Sequence, residues 1–368
     1  MTALSSSDQK TSGPYAQIDL SALCANYAMI DAATAGAQTA AVVKCNAYGI
    51  GMAPVARALC EHTDCRTFFV AYPEEGVALR QTLNELSIQE AVIYVFHGPL
   101  RGTLGLFGEA RLTPVINSLQ QARDWTSAYR GAPCALHIDT GMNRLGAPMS
   151  SVDDFLNLAG LNVGMVMSHL ACGTEPDHPK NEEQRCLFDA LSTKFPKALK
   201  SFSASAGALM APGYHYDLIR LGIALYGGTP FDQEEPRLKP VVSLRAPVIQ
   251  SRTVEAGETV GYSASYTARK SARIATIAIG YGDGLPVYAS NTAMVAINGE
   301  KAPIVGRVSM DLTCIDVSNC ANEVKTGDIA ELFGHDVSLF ETATACQMPP
   351  YELLTGLGGR VDRRYVYG

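Results

Sequence analysis

Short apolar runs and longer helix-period stretches alternate through the first two-thirds of the chain. After a first strand at Tyr15–Leu20 and a helix that Ser21 caps and that runs to Ile30, eight strand-length runs follow. They lie at Thr39–Val43, Thr67–Val70, Ala91–Phe96, Leu112–Ile116, Ala135–Ile138, Val163–Ser168, Ser201–Ala204 and Leu218–Arg220. Helical patterns at Ala53–Glu61, Pro73–Leu83, Leu119–Ala128, Ser151–Leu158 and Asn181–Phe195 fill most of the gaps. Eight short strands separated by helices predict a (β/α)8 barrel of the TIM type. A doubly wound open sheet is the alternative, but no Gly-x-Gly-x-x-Gly follows the first strand.

Near Pro230 the pattern changes. Asp232 to Pro240 is charged and bounded by prolines, as a linker is, and strand-like runs then dominate at Val241–Arg252, Ala272–Gly280, Ala293–Ile297 and Asp328–Phe333. Turns such as Asn298-Gly299 separate them. The expected organisation is α/β: a polar tail over residues 1–14, the barrel over 15–235, and a mostly β domain over 236–368.

In such a barrel, chemistry gathers where the strands end at their C-terminal side. Those ends carry Lys44, the run Asp139-Thr140-Gly141-Met142-Asn143-Arg144, His169, Ser205 and Arg220-Leu221-Gly222-Ile223. Lys44 closes the apolar run Ala41-Val42-Val43 and opens the polar stretch Cys45 to Gly51. A lysine half in an apolar interior loses pKa to desolvation, and a neutral amine is available for Schiff-base chemistry. Alone, a lysine past a strand is an ordinary surface lysine. Ser205 and Gly222 follow strands seven and eight, where barrels commonly hold a phosphate, and Ser205 opens a helical run to Ala211. Beside a pyridine-ring cofactor Arg220 would donate to the ring nitrogen but could not protonate it, which would favour return of a proton to Cα over transamination. In the second domain Gly261-Tyr262-Ser263-Ala264-Ser265-Tyr266 offers a phenol. A tyrosine is a poor base near neutrality unless neighbours lower its pKa, and His169 linked to Arg220 is the candidate for that.

Composition narrows the field. The chain has 368 residues, 47% hydrophobic and 18% charged, with a net charge of −7, so no basic footprint for nucleic acid or anionic lipid exists. No apolar run reaches membrane-spanning length, and the polar stretch Met1 to Pro14 has no apolar signal core; the expectation is a cytoplasmic protein with no membrane partner. The ten cysteines are scattered, without a Cys-x-x-Cys pair or histidines at zinc spacing, so reduced thiols and no metal are expected.

Five segments resemble the alanine racemase family, pyridoxal phosphate (PLP) enzymes of fold type III. They are Val42–Gly51, Asp139–Gly146, Arg220–Gly227, Gly261–Tyr266 with Ile279–Gly284, and Gly306–Asp311. The resemblance spans nearly the whole chain in the family's order. It implies that Lys44 carries PLP and is the base for D-alanine, and that Tyr262 is the base for L-alanine. Tyr48, Ser205, Gly222 and Ile223 would hold the phosphate, with Arg220 on the ring nitrogen and His169 behind it. Arg144 would orient Tyr262 and the phenolate side of PLP and help hold the substrate carboxylate, to which Met310 adds its N–H; Tyr281 would narrow the entrance. It further implies a head-to-tail homodimer with shared sites, making D-alanine for peptidoglycan.

Two positions depart from the family. His137 stands where many members carry a carbamylated lysine that holds the arginine, so Arg144 is left to Asp139, another residue or a bound anion, and no carbamate is expected. Gly359 stands where the family often has a gating, phosphate-binding tyrosine, which implies a wider entrance. Three other readings remain: a racemase for serine, basic or a broader set of amino acids, a PLP carrier without turnover, and a decarboxylase on the same barrel. A carrier needs no second base, and Tyr262 with Met310 follows the racemase pattern rather than the decarboxylase one.

Overall fold

The computed structural model describes residues 12–34 and 36–368, so most of the expected polar tail lies outside the described residues. The chain divides into two compact units: one of residues 21–239, the other of the N-terminal segment to Leu20 together with Pro240–Gly368.

The first unit is the barrel. We number the elements in chain order: β1 Tyr15–Asp19, α1 Leu20–Ala33, β2 Gln38–Val42, α2 Met52–His62, β3 Thr67–Val70, α3 Pro73–Glu85, β4 Val92–Val95 and α4 Leu104–Glu109. They continue as β5 Leu112–Ile116, α5 Leu119–Ala128, β6 Pro133–Asp139, α6 Val152–Leu156, β7 Asn162–Met167, α7 Pro179–Ser192, β8 Leu199–Ser201, α8 Ser205–Leu209 and β9 Leu218–Leu221. Strands β2 to β8 pair in parallel in sequence order, and β9 pairs in parallel with β2. A bridge between Ala204 and Arg220, with Arg220 N–H donating to Ser203 O at 3.0 Å, brings the last two strands together and nearly closes the barrel. Strands wrapped by helices are buried on both faces and read as unbroken apolar runs. Phe68, Phe69, Ile93, Val95, Leu136, Val166 and Ile219 are fully buried and fill this core.

Several expected boundaries shift. Helix α1 begins at Leu20, so Ser21 lies inside it rather than capping it. Helix α4 has no strong apolar period because Gly105 and Gly108 interrupt it. Helix α8 stops at Leu209, short of Ala211. The larger difference is β1. It lies beside the strands of the second unit, antiparallel to Val242–Val254 and parallel to Asp362–Val366, instead of opening the barrel unit at residue 15. Its alternating burial is that of a strand with one core face, unlike the wholly buried barrel strands.

The second unit is mostly β. Its sheet runs in the order Glu300–Pro303, Met294–Ile297, Ile329–Phe333, Val242–Val254, β1 and Asp362–Val366. The 13-residue strand Val242–Val254 is irregular between Val248 and Gln250, and beyond that point it pairs with Ala272–Ile277, which pairs in turn with Thr313–Asp316. Asn298 and Gly299, both with positive φ, form the two-residue turn that pairs Met294–Ile297 with Glu300–Pro303. None of the ten cysteines is in a disulfide, and six are buried. No helix among the described residues is long and apolar enough to cross a membrane.

Candidate active site

Lys44 stands two residues past the buried end of β2, after the buried Val43. The next four residues, Cys45, Asn46, Ala47 and Tyr48, all have φ between 52° and 55°, one turn of left-handed helix ended by Gly49 at φ 86°. Ala47 N–H donates to Val43 O and Gly49 N–H to Cys45 O, and Asn46 Oδ1 accepts from Met52 N–H at 2.8 Å. Side chains resist this conformation by about 1–2 kcal/mol per residue, so the turn persists only because its surroundings hold it. The half-buried Lys44 stands at its entry, and the buried Tyr48 is its last residue. Burial lowers the pKa of the Lys44 amine, and the Arg144 charge lowers it further, against a smaller opposing pull from Glu75.

The ends of β8 and β9 form a second cluster. Ser205 is buried, and its Oγ accepts from Gly222 N–H at 3.0 Å and Ala224 N–H at 3.2 Å. With both acceptor positions used, its own proton is available to an anion. A Cβ on Gly222 would stand 2.5 Å from the Tyr48 hydroxyl, so only glycine leaves that space open. Tyr48, Ser205 and Gly222 are thus brought together, with Ile223 next in the chain.

Arg220 is 2% exposed on β9. Its Nη1 donates to Ser201 O and Oγ at 2.9 and 2.6 Å, and its Nη2 to Ser168 O at 2.7 Å, Phe202 O at 3.3 Å and His169 Nδ1 at 3.3 Å. These acceptors are neutral and leave Nε outside the set. Burial pushes the guanidinium pKa down to about 9, which still leaves it charged near neutrality. Because Arg220 can only donate, His169 Nδ1 is the bare nitrogen and Nε2 carries the proton. Burial first, then the nearby Arg220 charge, holds His169 neutral, far below its usual range.

His137 on β6 has the opposite tautomer. Asn117 Nδ2 donates to Phe96 O and Val115 O, each at 2.9 Å, so its Oδ1 faces His137 Nδ1 at 2.9 Å as an acceptor. Nδ1 is then protonated and Nε2 bare. Burial, with the charge of Arg220, pushes the His137 pKa down to about 4, so the ring is neutral.

Asp139 does not hold Arg144. Its carboxylate accepts from Gly141 and Met142 N–H at 2.8 Å each and from Asn143 N–H at 2.7 Å, which shapes the loop instead. Arg144 itself is exposed, and its guanidinium forms no hydrogen bond or ion pair among the described residues.

The remaining expected residues belong to the second unit. Tyr262, Tyr281 and Met310 line one cavity of about 590 Å³ together with Val287, Arg307, Val308 and Asp311. Gly261 adopts φ 78°, and a Cβ there would press to 3.0 Å from Arg307 N, so glycine lets the Tyr262 segment approach the loop that carries Arg307. Tyr281 N–H donates to Ser309 O at 3.0 Å and Gly282 N–H to Met310 O at 2.9 Å. Arg360 joins the two loops, with Nε on the buried Asp283 at 2.9 Å and Nη1 on Asp311 at 2.7 Å. Gly359 is exposed, with no atom within 4 Å of the place a Cβ would take.

Sequence reasoning did not find Glu75, Asn117, Arg307 or Arg360. The signal for Glu75 was its place two residues after Pro73, where a helix-capping carboxylate belongs; the others carried none.

The barrel unit's donor set suits PLP: a desolvated lysine amine, a cradle of hydroxyls and backbone N–H for a phosphate, and an unused guanidinium N–H for the ring nitrogen. Comparison with known proteins agrees. Residues 18–230 match the model of the alanine racemase N-terminal domain, and residues 241–365 that of the C-terminal domain. The chain is 42% identical to a catabolic alanine racemase of Agrobacterium fabrum, over 95% of this chain and 91% of the relative. It is 40% identical to an alanine racemase of Rhodospirillum rubrum, over 95% and 94%. The solved alanine racemase of Bartonella henselae, described with covalently bound pyridoxal phosphate, superposes with a TM-score of 0.90 at 34% identity, covering 97% of this chain and all of that one. Matched by both domain models across nearly its whole length, and at about 40% identity to curated relatives, the chain belongs to the alanine racemase family.

Proposed function

We propose that the chain is a PLP-dependent alanine racemase that interconverts L- and D-alanine by two opposed proton carriers, Lys44 and Tyr262. The observation that carries this reading is the pairing of a desolvated Lys44 amine with a buried Arg220, where an electron-sink enzyme would place an acid.

When bound, PLP draws electron density from the substrate Cα and makes its proton removable. Lys44 holds the cofactor and, as a neutral amine, takes or returns the Cα proton on one face. Tyr48 and Ser205 hydroxyls with the Ile223 N–H hold the phosphate, and Gly222, whose own N–H is taken by Ser205 Oγ, leaves it room. Arg220 donates Nε–H to the ring nitrogen and keeps its own proton, which limits electron withdrawal and favours return of the proton to Cα. Tyr262 serves the other face. His169 presents Nε2–H as a donor to the phenol oxygen. Arg144 and the Met310 N–H bind the substrate carboxylate, and Tyr281 narrows the entrance. Tyr262 is 69% exposed in its own chain, which supports a head-to-tail homodimer in which it serves the partner's Lys44 site. The same reading makes the enzyme cytoplasmic and a source of D-alanine for peptidoglycan.

The test is incubation of the purified protein with individual L-amino acids in deuterated water, followed by chiral analysis and mass measurement at Cα. Alanine should give D-alanine carrying one Cα deuterium, faster than any other amino acid. Lys44→Ala should lose covalent PLP and both directions. Tyr262→Ala should keep covalent PLP while L-to-D turnover falls about 100-fold or more. Another preferred substrate, or L-to-D turnover that survives without the phenol, would overturn the proposal.

A further inference from the structure

Glu75 is the third residue of α3, and its two carboxylate oxygens gather three backbone N–H groups. Oε2 accepts from Ala71 at 2.8 Å and Tyr72 at 3.2 Å, the ordinary work of a carboxylate at a helix start. Oε1 does something else. It accepts from Cys45 N–H at 2.5 Å, a group 30 residues away in sequence. That N–H belongs to the peptide bond joining Lys44 to Cys45, at the entry to the left-handed turn. The turn's own hydrogen bonds begin later, with Ala47 and Gly49 as donors. No carbonyl of the turn reaches back to satisfy its first N–H.

We infer that Glu75 is a positioning residue for Lys44: its carboxylate ties the peptide bond bearing the lysine to the N-terminus of α3, and so fixes the strained turn that carries both the Lys44 amine and the Tyr48 hydroxyl. The inference deepens the reading of Lys44 as the PLP-bearing amine and rests on it.

The charge on Glu75 gives the same contact a second effect. The groups that face Lys44 are Arg144 from the loop after β6, His169 after β7, the Cys45 thiol of its own turn, the Phe96 ring at 5.7 Å, and Glu75. Burial and Arg144 both favour the neutral amine. Glu75 is the carboxylate among these groups and opposes them, keeping the Lys44 pKa from falling further. Glu75→Gln removes the charge and turns one acceptor into a donor that faces backbone N–H. Glu75→Asp keeps the charge but draws it back by one methylene.

The experiment uses the full chain, stripped of cofactor and then mixed with PLP across a pH series. Covalent capture is followed by absorbance and by borohydride trapping mapped to Lys44 by peptide mass. PLP loss from the loaded protein and hydrogen exchange over the Lys44–Tyr48 segment are measured in parallel. Glu75→Gln should move the pH midpoint of capture down by about half a unit or more, the size expected for losing one partly screened charge. It should also speed PLP loss about tenfold and deprotect the segment. Glu75→Asp should keep the midpoint while losing PLP faster than wild type.

A residue that merely caps α3 would lower the melting temperature and leave the midpoint and PLP loss where they were, and that result overturns the inference. If Glu75→Gln does not fold, Glu75→Asp decides: unchanged exchange at the segment and unchanged PLP loss overturn the inference, and faster exchange with faster loss supports it. Wild-type protein that traps no PLP at Lys44 would instead sink the proposed function, a separable failure.

Discussion

His137 and His169 are both neutral, yet each keeps its proton on a different nitrogen because its neighbour dictates it. Asn117 can only accept at His137 Nδ1, and Arg220 can only donate at His169 Nδ1. His137 is thereby left with a bare Nε2, a neutral acceptor of the kind a guanidinium uses. Its refusal of a proton has a cost in acid. The folded-state pKa of about 4 lies below the ordinary 6.5, so the unfolded chain binds the extra proton between those values. Stability is complete above about pH 6.5 and falls as pH drops toward 4, by up to about 3 kcal/mol for this residue. His137→Asn should flatten the fall of melting temperature over that window, as a pH series of thermal melts will read. His169 contributes a slope of the same sign, so flattening is expected to be partial. At this scale, residues were legible when they stood at a strand end in a distinctive run, as Lys44, Ser205, Arg220 and Gly222 do. Glu75 and Asn117 were not, because a glutamate in a helix's first turn and an asparagine after a strand have routine local uses. Only the three-dimensional arrangement gives Glu75 a partner 30 residues away.

The left-handed turn from Cys45 to Tyr48 is the element on which the lysine depends. Gly49 and Gly51 advertised a loop there, but four non-glycine residues in one left-handed turn have no signature in composition. Cys45 is exposed at φ 54° and ψ 47°, so its side chain contributes strain with little packing to offset it. Cys45→Gly should raise stability by about 1 kcal/mol by removing that strain, net of the extra freedom glycine gives the unfolded chain. Cys45→Val, with a branched Cβ in the same conformation, should lower stability and speed PLP loss. Denaturant melts of the two variants, with PLP release followed by absorbance, check both expectations. Regular elements were easier to foresee. The barrel strands lie within a few residues of their expected places because strands buried on both faces leave continuous apolar runs. Short partly exposed strands such as Glu300–Pro303 and Thr313–Asp316 leave no such trace, and both were missed.

At the scale of the whole molecule, the residues proposed as the two proton carriers lie in different compact units. If each site draws its amine from one subunit and its phenol from the other, two dead variants can repair each other. Mixed dimers of Lys44→Ala and Tyr262→Ala chains would contain one intact site and one doubly defective site. Random mixing makes half the dimers mixed, so about a quarter of wild-type activity should return. Mixing after mild dissociation, with racemisation assayed before and after, makes the measurement, and no recovery would mean that each chain uses its own tyrosine. Domain order was legible from the linker near Pro230. What the linear pattern hid was the allegiance of β1, since a five-residue strand does not reveal which sheet it will join.

That allegiance has a consequence for how the chain is born. Residues 21–239 contain everything the barrel needs, so it can form while the ribosome is still at work. The companion sheet cannot. Its strand at Tyr15–Asp19 emerges among the first residues and must wait for Asp362–Val366, among the last, to zip alongside it. The residues around Lys44 are therefore all made well before the tyrosine-bearing sheet can close, and loss of residues 362–368 would leave β1 bare along one edge.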